Sequence, residues 1–391
     1  MKESKQTVII MKKFFFAIFM VFTIQFGFSQ IVFKDLNSSY LNETRQIKIG
    51  LPKSYKYDPD KLYPLILSLD GDYLFDPIHG TVSYMSFWEH MPEAIIVGVN
   101  QSETRRTDCQ YDSNTELPEY EGKNFFNFIE QELVPYLEKN FRLAKFKMLV
   151  GQDYTGNYIN YFVKNEPTFQ AYVNFSPDYV QKMYDELPNI LERSQSKIWY
   201  YLATGKRDVK DLRSAAIIMH EELNVIKNEN LHYIFDDFED ADHYSLVNYA
   251  IPSALNNIFS FYRPISKQEY NEKIMVSELS PYEYLVQKYD IIENLIGTRH
   301  RVRVNDFVAV STALEAKEDW EGLRELGELA RKLYPEYMLG NYYLGTYYEN
   351  AEKPREAMKI YKNGHLLREI SFLTKEIMLE KADRIKEDFG W

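Results

Sequence analysis

Cysteine is nearly missing from this chain, since Cys109 is the only one among 391 residues. A single cysteine excludes an internal disulfide, so noncovalent packing must hold the fold together. The apolar run from Phe14 to Ile24 is about half of the ~20 residues that a membrane-spanning helix needs. Positive charge is in deficit: 46 Lys and Arg stand against 58 Asp and Glu, a net charge of −12, which argues against nucleic-acid binding.

The N-terminus has the pattern of a secretory signal peptide. Lys12 and Lys13 precede the apolar run, and Gly27-Phe28-Ser29-Gln30 supplies small residues after it. We predict that residues 1–29 are a signal peptide cut after Ser29, with an uncleaved anchor as the alternative. The mature protein is then secreted or periplasmic and has no stable membrane span, and a single cysteine fits a bacterial periplasm.

Short apolar runs alternate with helical patterns from about residue 31 to 263, which predicts βα units around a doubly wound, mainly parallel sheet. Tyr63 to Leu69 and Glu93 to Val99 are almost continuously apolar, as strands covered on both faces must be. Lys123 to Asn140 has helical spacing. Further strands are predicted at Arg45 to Leu51, Phe146 to Val150, Ala171 to Phe175, Ile198 to Ala203 and Leu231 to Phe235.

Beyond Arg263-Pro264 the pattern becomes helical only, so we predict an α/β domain over residues 30–263 and an all-α domain over residues 264–391. The spacing of Leu344, Gly345, Tyr348, Ala357 and Tyr361 is that of a tetratricopeptide unit, and a generic pair of helical hairpins is the alternative. Such a tail offers a surface for a protein partner, and an interaction protein that works through this tail is one candidate function.

The stretch MLVGQDYTGN, Met148 to Asn157, has the position and shape of a nucleophile elbow. In the elbow motif G-x-S-x-G, a strained turn between a strand and a helix lifts a serine clear of the sheet. Here Asp153 stands where the serine is expected, and Thr155 stands where the second glycine is expected. Whether the chain catalyses a reaction therefore depends on the chemistry of Asp153.

A nucleophile at an elbow needs a base, and the base needs an orienting acid, in the chain order nucleophile, acid, histidine. Asp208 and His243 follow late strands in that order, with Asp211 and Asp242 as competing acids. Backbone N–H donors for an oxyanion are expected from Tyr154 and from the Gly71-Asp72 segment. Arg105 and Arg106 could bind a carboxylate or phosphate at the same rim, or form a solvated surface pair.

These residues resemble a family of esterases that includes the enterobactin esterases and esterase D, especially the forms found in Bacteroidetes. The resemblance spans roughly residues 38–262 and implies an α/β-hydrolase fold, an oxyanion donor near Gly71-Asp72, an acid at Asp208 and a base at His243. The family elbow is usually G-H-S-x-G-G, so the resemblance supplies no nucleophile here. The motifs that carry it are TRQIKIGLPKSY (44–55), LILSLDGDYLFDP (65–77), NQSETRRTDC (100–109), FIEQELVPYLEKNFR (128–142) and FEDADHYSL (238–246).

Three interpretations of Asp153 stay open. In the first, the chain is a pseudoenzyme that binds a ligand in the old cleft, because carboxylate attack on an ester gives an anhydride that is no easier to make than its parent. In the second, it is an active hydrolase on esters, or on alkyl carbon with Asp153 as nucleophile, as in the haloalkane dehalogenases. In the third, Asp153 is a general base, or a hydroxyl of Thr155 or Ser176 takes over.

The resemblance implies a small ester-like or siderophore ligand. A carbohydrate is the alternative, because 32 Tyr and 25 Phe can supply aromatic binding surfaces as well as core packing. No cofactor and no metal are predicted. With Asp153 and Asp208 both near His243, we expect the pKa of the imidazole to be raised and the protonated ring to join an ion-pair network.

Overall fold

The computed structural model describes residues 31–164, 166–297 and 301–391. Residues 1–29, the predicted signal peptide, lie outside the described residues. The centre of the fold is an eight-stranded sheet in the order β1-β2-β4-β3-β5-β6-β7-β8. Its strands are β1 (Ile31–Ser38), β2 (Glu43–Gly50), β3 (Tyr63–Ser68), β4 (Ile95–Val99), β5 (Leu143–Gln152), β6 (Ala171–Phe175), β7 (Ile198–Arg207) and β8 (Leu231–Asp242).

The predicted mainly parallel sheet is confirmed, because β3 to β8 pair in parallel and only β1 and β2 pair antiparallel. Every residue of β3, β4 and β6 is buried, which is why these strands read as continuous apolar runs. The edge strand β1 was not predicted; most of its residues are exposed, so it lacks that signal. Both β7 and β8 extend beyond their predicted ends into polar residues.

Helices cover both faces of the sheet, which makes the fold doubly wound. One face packs against α3 (Tyr120–Asn127), α4 (Val134–Asn140), α6 (Gln181–Arg193) and α7 (Lys210–Leu223). The other packs against α1 (Phe75–Phe87) and α8 (Leu246–Ile258). Two short helices, α2 (Arg105–Asp108) and α5 (Tyr154–Tyr158), lie at the carboxyl ends of the strands.

The predicted helix over Lys123 to Asn140 is longer than expected and contains a π-helical segment, Phe128–Leu133, between α3 and α4. Pro135 lies at the start of α4, where its missing N–H cannot donate an ordinary helix bond, and a π turn accommodates such a break.

From residue 264 onward, the described residues form helices and no strand of the sheet. We call this part the C-terminal helical region. Its core is built from side chains of its own helices, including Ala357 and Tyr361 of the tetratricopeptide spacing. The helices are α9 (Lys267–Glu269), α10 (Pro281–Ile296), α11 (Val304–Ala316), α12 (Trp320–Leu333), α13 (Leu339–Asn350), α14 (Pro354–His365) and α15 (Lys375–Asp388), and a π-helical segment, Tyr270–Ile274, follows α9.

The C-terminal helical region packs against the amino ends of the parallel strands. Gly297, which ends α10 in a left-handed conformation, lies so close to Leu62 and Ala144 at the starts of β3 and β5 that a Cβ atom there would lie 2.8 Å from Leu62 Cδ1. Arg303 forms an ion pair with Glu89 at 3.0 Å. These described contacts therefore lie at the end of the sheet opposite the carboxyl ends, where the predicted site lies. Within the described residues, no helix has the length and apolarity needed to cross a membrane.

Candidate active site

Asp153 occupies the strained turn between β5 and α5. Its backbone has φ 56° and ψ −116°, an uncommon conformation for a residue with a side chain. The turn is held by hydrogen bonds from Asp153 N–H to the carbonyl oxygen of Phe175 at 3.0 Å and from Asn157 N–H to the carbonyl oxygen of Asp153 at 3.0 Å. Close approach also fixes it, because a Cβ atom on Gly151 would lie 2.5 Å from Thr155 O. The elbow geometry is present with an aspartate at its apex.

Arg105 connects the elbow to the loop after β3. Its Nε donates to Asp70 Oδ1 at 2.7 Å, its Nη2 donates to the carbonyl oxygen of Gln152 at 2.8 Å, and its Nη1 lies 3.3 Å from Asp153 Oδ2. Asp70 is only 1% exposed, so it requires a cationic partner. Arg105 is thus a structural ion-pair partner in this cleft as well as a candidate ligand-binding group. The guanidinium of Arg106 lies over the Tyr154 ring, 5.6 Å from its centroid.

The hydroxyls of Thr155 and Ser176, which could replace a serine nucleophile, are both occupied. Thr155 Oγ1 lies 2.6 Å from Asp70 Oδ2, to which it donates, and it accepts from Gln152 N–H at 2.9 Å. Ser176 Oγ donates to Asp208 Oδ2. Both residues are fully buried. Neither hydroxyl is placed to attack a ligand in the cleft.

The structure brings the predicted acid and base together, because His243 Nδ1 lies 3.0 Å from Asp208 Oδ1. The Asp208 side chain is completely buried and the His243 side chain is 16% exposed. The competing acids lie elsewhere: Asp211 lies in the first turn of α7, and Asp242 accepts hydrogen bonds from Tyr244 N–H and Ser245 N–H. Of the three candidate acids, Asp208 is therefore the one that contacts His243.

The charges around His243 raise its pKa above the ordinary value, mainly through the hydrogen bond to Asp208 and against the effect of burial. Asp153 adds a smaller attraction, but it forms its ion pair with Arg105 and none with His243 among the described residues. Burial would raise the pKa of Asp208, yet hydrogen bonds from His243, Ser176 and Val209 N–H lower it below the usual range. The dyad therefore favours a charged pair, His243 as imidazolium and Asp208 as carboxylate.

The expected oxyanion donors need one correction. The N–H of Gly71 does not face the cleft; it donates to the carbonyl oxygen of Val99 at 2.7 Å. A Cβ atom at this position would lie 2.5 Å from the backbone of Gly98, so the close approach of the loop after β3 to β4 requires Gly71. The N–H groups of Asp72 and Tyr154 donate to no described residue and are the donors that remain. The Asp72 carboxylate accepts from Gln101 N–H and Ser102 N–H and holds the loop in place.

Sequence reasoning missed two members of the network, Asp70 and Tyr73. Burial raises the pKa of Asp70, and Arg105, Thr155 and Tyr73 oppose that rise by hydrogen bonding to the carboxylate. The hydroxyl of Tyr73 donates to Asp70 Oδ2 at 2.9 Å. A signal was available, because a carboxylate directly after a fully apolar strand needs a cation and Arg105 follows the neighbouring strand.

No three His, Cys, Asp or Glu side chains converge as a metal site in the part of the chain that the structure describes.

A parallel sheet with a strained turn after its central strand, and with an Asp–His pair beyond later strands, defines an α/β-hydrolase fold. The profile of the "Putative esterase" family matches residues 38–239, which is more than half of the chain. The chain belongs to this family.

Three similar proteins extend the comparison. The chain is 24% identical over 248 residues to the ferri-bacillibactin esterase BesA of Bacillus subtilis, covering 55% of this chain and 85% of BesA. A crystal structure of an uncharacterised protein from Capnocytophaga ochracea is 28% identical, with a TM-score of 0.81 over 92% of this chain and 100% of that chain. An IroE-like serine hydrolase from Shewanella oneidensis, 19% identical, shares the fold with a TM-score of 0.55 over 77% of this chain and 99% of that chain.

Proposed function

We propose that this chain is a pseudo-esterase that binds a siderophore-like ester in the cleft at the carboxyl ends of its strands. One observation carries the proposal: the elbow apex holds the Asp153 carboxylate, 3.3 Å from Arg105, in place of a free hydroxyl. A carboxylate that attacks an ester forms an anhydride, and this anhydride is no easier to make than its parent. The pairing of the Asp153 carboxylate with Arg105 further reduces the nucleophilicity of that carboxylate.

The chemistry of the rim supports an anionic, aromatic ligand. Arg105 and Arg106 both lie over the Tyr154 ring, at 5.5 and 5.6 Å from its centroid, so the rim is cationic and aromatic together. Tyr244, which follows the base, is 87% exposed, and Tyr73 is 46% exposed. An anionic iron-chelating ester would find ion pairs and stacking surfaces here. BesA is named for a ligand of this class, ferri-bacillibactin.

The binding proposal is tested with ferri-bacillibactin as the probe. We expect saturable binding by calorimetry to the wild-type protein, weakened about tenfold or more in Arg106→Glu, with no released hydrolysis product by chromatography. Lys267→Glu, an equal charge change in α9, is the control and should bind normally. Absence of saturable binding would refute ligand binding, and hydrolysis that disappears in His243→Ala would refute the pseudoenzyme.

One observation favours an active hydrolase as the second candidate: the pair of His243 and Asp208 is retained at 3.0 Å. In that case Asp153 attacks an alkyl carbon, the leaving group departs with the bonding electrons, and water then cleaves the ester on Asp153. Turnover of a haloalkane in ¹⁸O water would place ¹⁸O in the Asp153 carboxylate, which mass spectrometry detects. The raised pKa of His243 opposes this route wherever the ring is protonated, because imidazolium cannot take a proton from water.

We also propose how the chain is processed and how its C-terminal part is organised. Residues 1–29 are a cleaved signal, the mature protein is secreted or periplasmic, and residues 264–391 form a tetratricopeptide-like unit that can bind a protein partner. The tight helix packing of such units is supported by Gly345, where a Cβ atom would lie 2.3 Å from the Tyr361 ring. N-terminal sequencing of the exported protein should begin at Gln30, and a retained N-terminus would contradict cleavage.

A further inference from the structure

A second cavity lies at the end of the sheet opposite the candidate active site. It has a volume of about 580 Å³ and is bounded by the amino ends of β7 and β8, by the chain from Ser260 to Ser266, and by the helices α9 and α10. Ordinary small-molecule sites have volumes of roughly 300–1,000 Å³. This cavity, which we call the basal groove, has the size of a binding site and is formed jointly by the sheet and the C-terminal helical region.

Aromatic side chains form one wall of the basal groove. The rings of Trp199 and His232 stack at 4.8 Å with an interplanar angle of 16°, and Phe261 lies 5.8 Å from Trp199. Burial and the neighbouring Lys197 lower the pKa of His232, so this ring is neutral at physiological pH and acts as a flat apolar surface. The wall can therefore hold a planar or apolar ligand body.

The charge of the basal groove is opposite to that of the chain. Four cationic side chains and two carboxylates line it, although the chain carries a net charge of −12. Lys288 pairs with Glu269 at 2.7 Å, which leaves Glu272 as the only other lining carboxylate. The remaining lining cations, Lys197, Arg263 and Lys273, form no ion pair with any described residue.

Arg263 provides an independent indication of a ligand site. Its Nη2 donates to the carbonyl and side-chain oxygens of Asn256. Its Nε is buried and has no hydrogen-bond partner among the described residues. A buried guanidinium donor without an acceptor is unfavourable, and an anionic ligand oxygen would supply the acceptor.

From this geometry we propose that the basal groove binds a small organic anion with an aromatic body, its ring on the Trp199 wall and its anionic group toward Arg263 and Lys273. Such a site is separate from the cleft: Trp199 and Ala203 lie four residues apart on β7, so the two ends of the sheet are on the order of 15 Å apart. The proposal does not depend on whether the cleft binds or hydrolyses an ester.

The test uses 2-naphthoate as probe and calorimetry on the full chain. We expect saturable 1:1 binding, at least about tenfold weaker for neutral 2-naphthylmethanol and for Lys197→Glu/Lys273→Glu. Both lysines are exposed, so the fold should tolerate the reversal. The matched control is Lys227→Glu/Lys267→Glu, which changes the net charge equally at exposed positions that do not line the groove.

Several results would overturn the proposal. One is absence of saturable heat with 2-naphthoate. Another is equal weakening by the groove and control variants, because that would reduce the effect to long-range charge. A third is loss of binding in Arg106→Glu with retention in Lys197→Glu/Lys273→Glu, because the probe would then occupy the cleft.

Discussion

The guanidinium of Arg105 lies 3.3 Å from the carboxylate of Asp153, and the same guanidinium donates to the buried Asp70 at 2.7 Å. The residue at the elbow apex is thus part of a charge network that spans the loops after β3, β4 and β5. In this network Asp153 is the more exposed of the two carboxylates, at 19% against 1% for Asp70. Substitution of Asp153 should therefore change the chemistry of the cleft more than the integrity of the fold.

Replacing Asp153 by serine should create esterase activity. The elbow conformation, the N–H groups of Asp72 and Tyr154, and the pair of Asp208 and His243 are already in place, so a hydroxyl at the apex would complete the usual set. We expect hydrolysis of p-nitrophenyl acetate to rise about 10- to 100-fold over wild type. Asp153→Ala is the control, and equal rates for the serine and alanine variants would show that the cleft cannot support acyl transfer.

Relief of the backbone strain at Asp153 should raise the free energy of unfolding. Glycine adopts φ 56° without a steric penalty, whereas alanine keeps a Cβ atom, and both remove the same carboxylate. In chemical denaturation, we expect the free energy of unfolding of Asp153→Gly to be about 1–2 kcal/mol higher than that of Asp153→Ala. Equal stabilities would mean that the turn relaxes when the carboxylate is lost.

Thr155 should contribute to stability through its hydroxyl. Its bond to the buried Asp70 carboxylate would be lost in Thr155→Val, at a cost of about 1–3 kcal/mol in the free energy of unfolding. Thr155→Ser retains the hydroxyl and should lose less. If Thr155→Ser were as unstable as Thr155→Val, the loss of stability in the serine variant would be due to packing of the threonine methyl group.

Substitution by alanine should have opposite effects on stability at Gly71 and at Gly80. Gly71→Ala places a Cβ atom 2.5 Å from the backbone of Gly98 and should cost about 2 kcal/mol or more. Gly80, exposed in α1, has no atom within 4 Å of such a Cβ, and Gly80→Ala should stabilise the helix by about 0.5–1 kcal/mol. Thermal melts of both variants measure this difference, and a tolerated Gly71→Ala would contradict the close packing of the loop after β3 against β4.

The pair of His243 and Asp208 should make stability depend on pH. The pKa of His243 is raised in the folded state, so its contribution is complete below the ordinary histidine pKa of about 6.5 and is lost as pH rises through the folded value. Wild type should therefore exceed His243→Gln in unfolding free energy by more at pH 5.5 than at pH 8.5. If the difference in unfolding free energy grew with pH, the folded protein would instead hold the His243 ring neutral.

The parts of the site that follow single strands were predictable from the sequence. Asp153, Asp208 and His243 each come directly after an apolar run or its polar extension, and the parallel sheet brings such ends together. The sequence signals that Asp70 needs a cation, but the contact with Arg105 itself depends on the course of the two short loops after β3 and β4. For the same reason the sequence did not show that Gly71 donates into the sheet.

The position of the C-terminal helical region was also beyond sequence reasoning. Its helices have clear periodicity, but the pattern does not tell which end of the sheet they contact. That contact depends on tertiary packing at single positions, such as Gly297 against Leu62 and Ala144.

The attachment of the helices to the amino ends of the strands determines how the protein can be mounted on a sensor surface. Coupling through the C-terminal helical region would leave the cleft facing the flowing solution, because this region packs against the amino ends of the strands. Coupling through an engineered cysteine at the exposed Tyr244 would reverse that orientation. In either mounting, the end of the sheet nearer the support would be the less accessible one to a large binding partner.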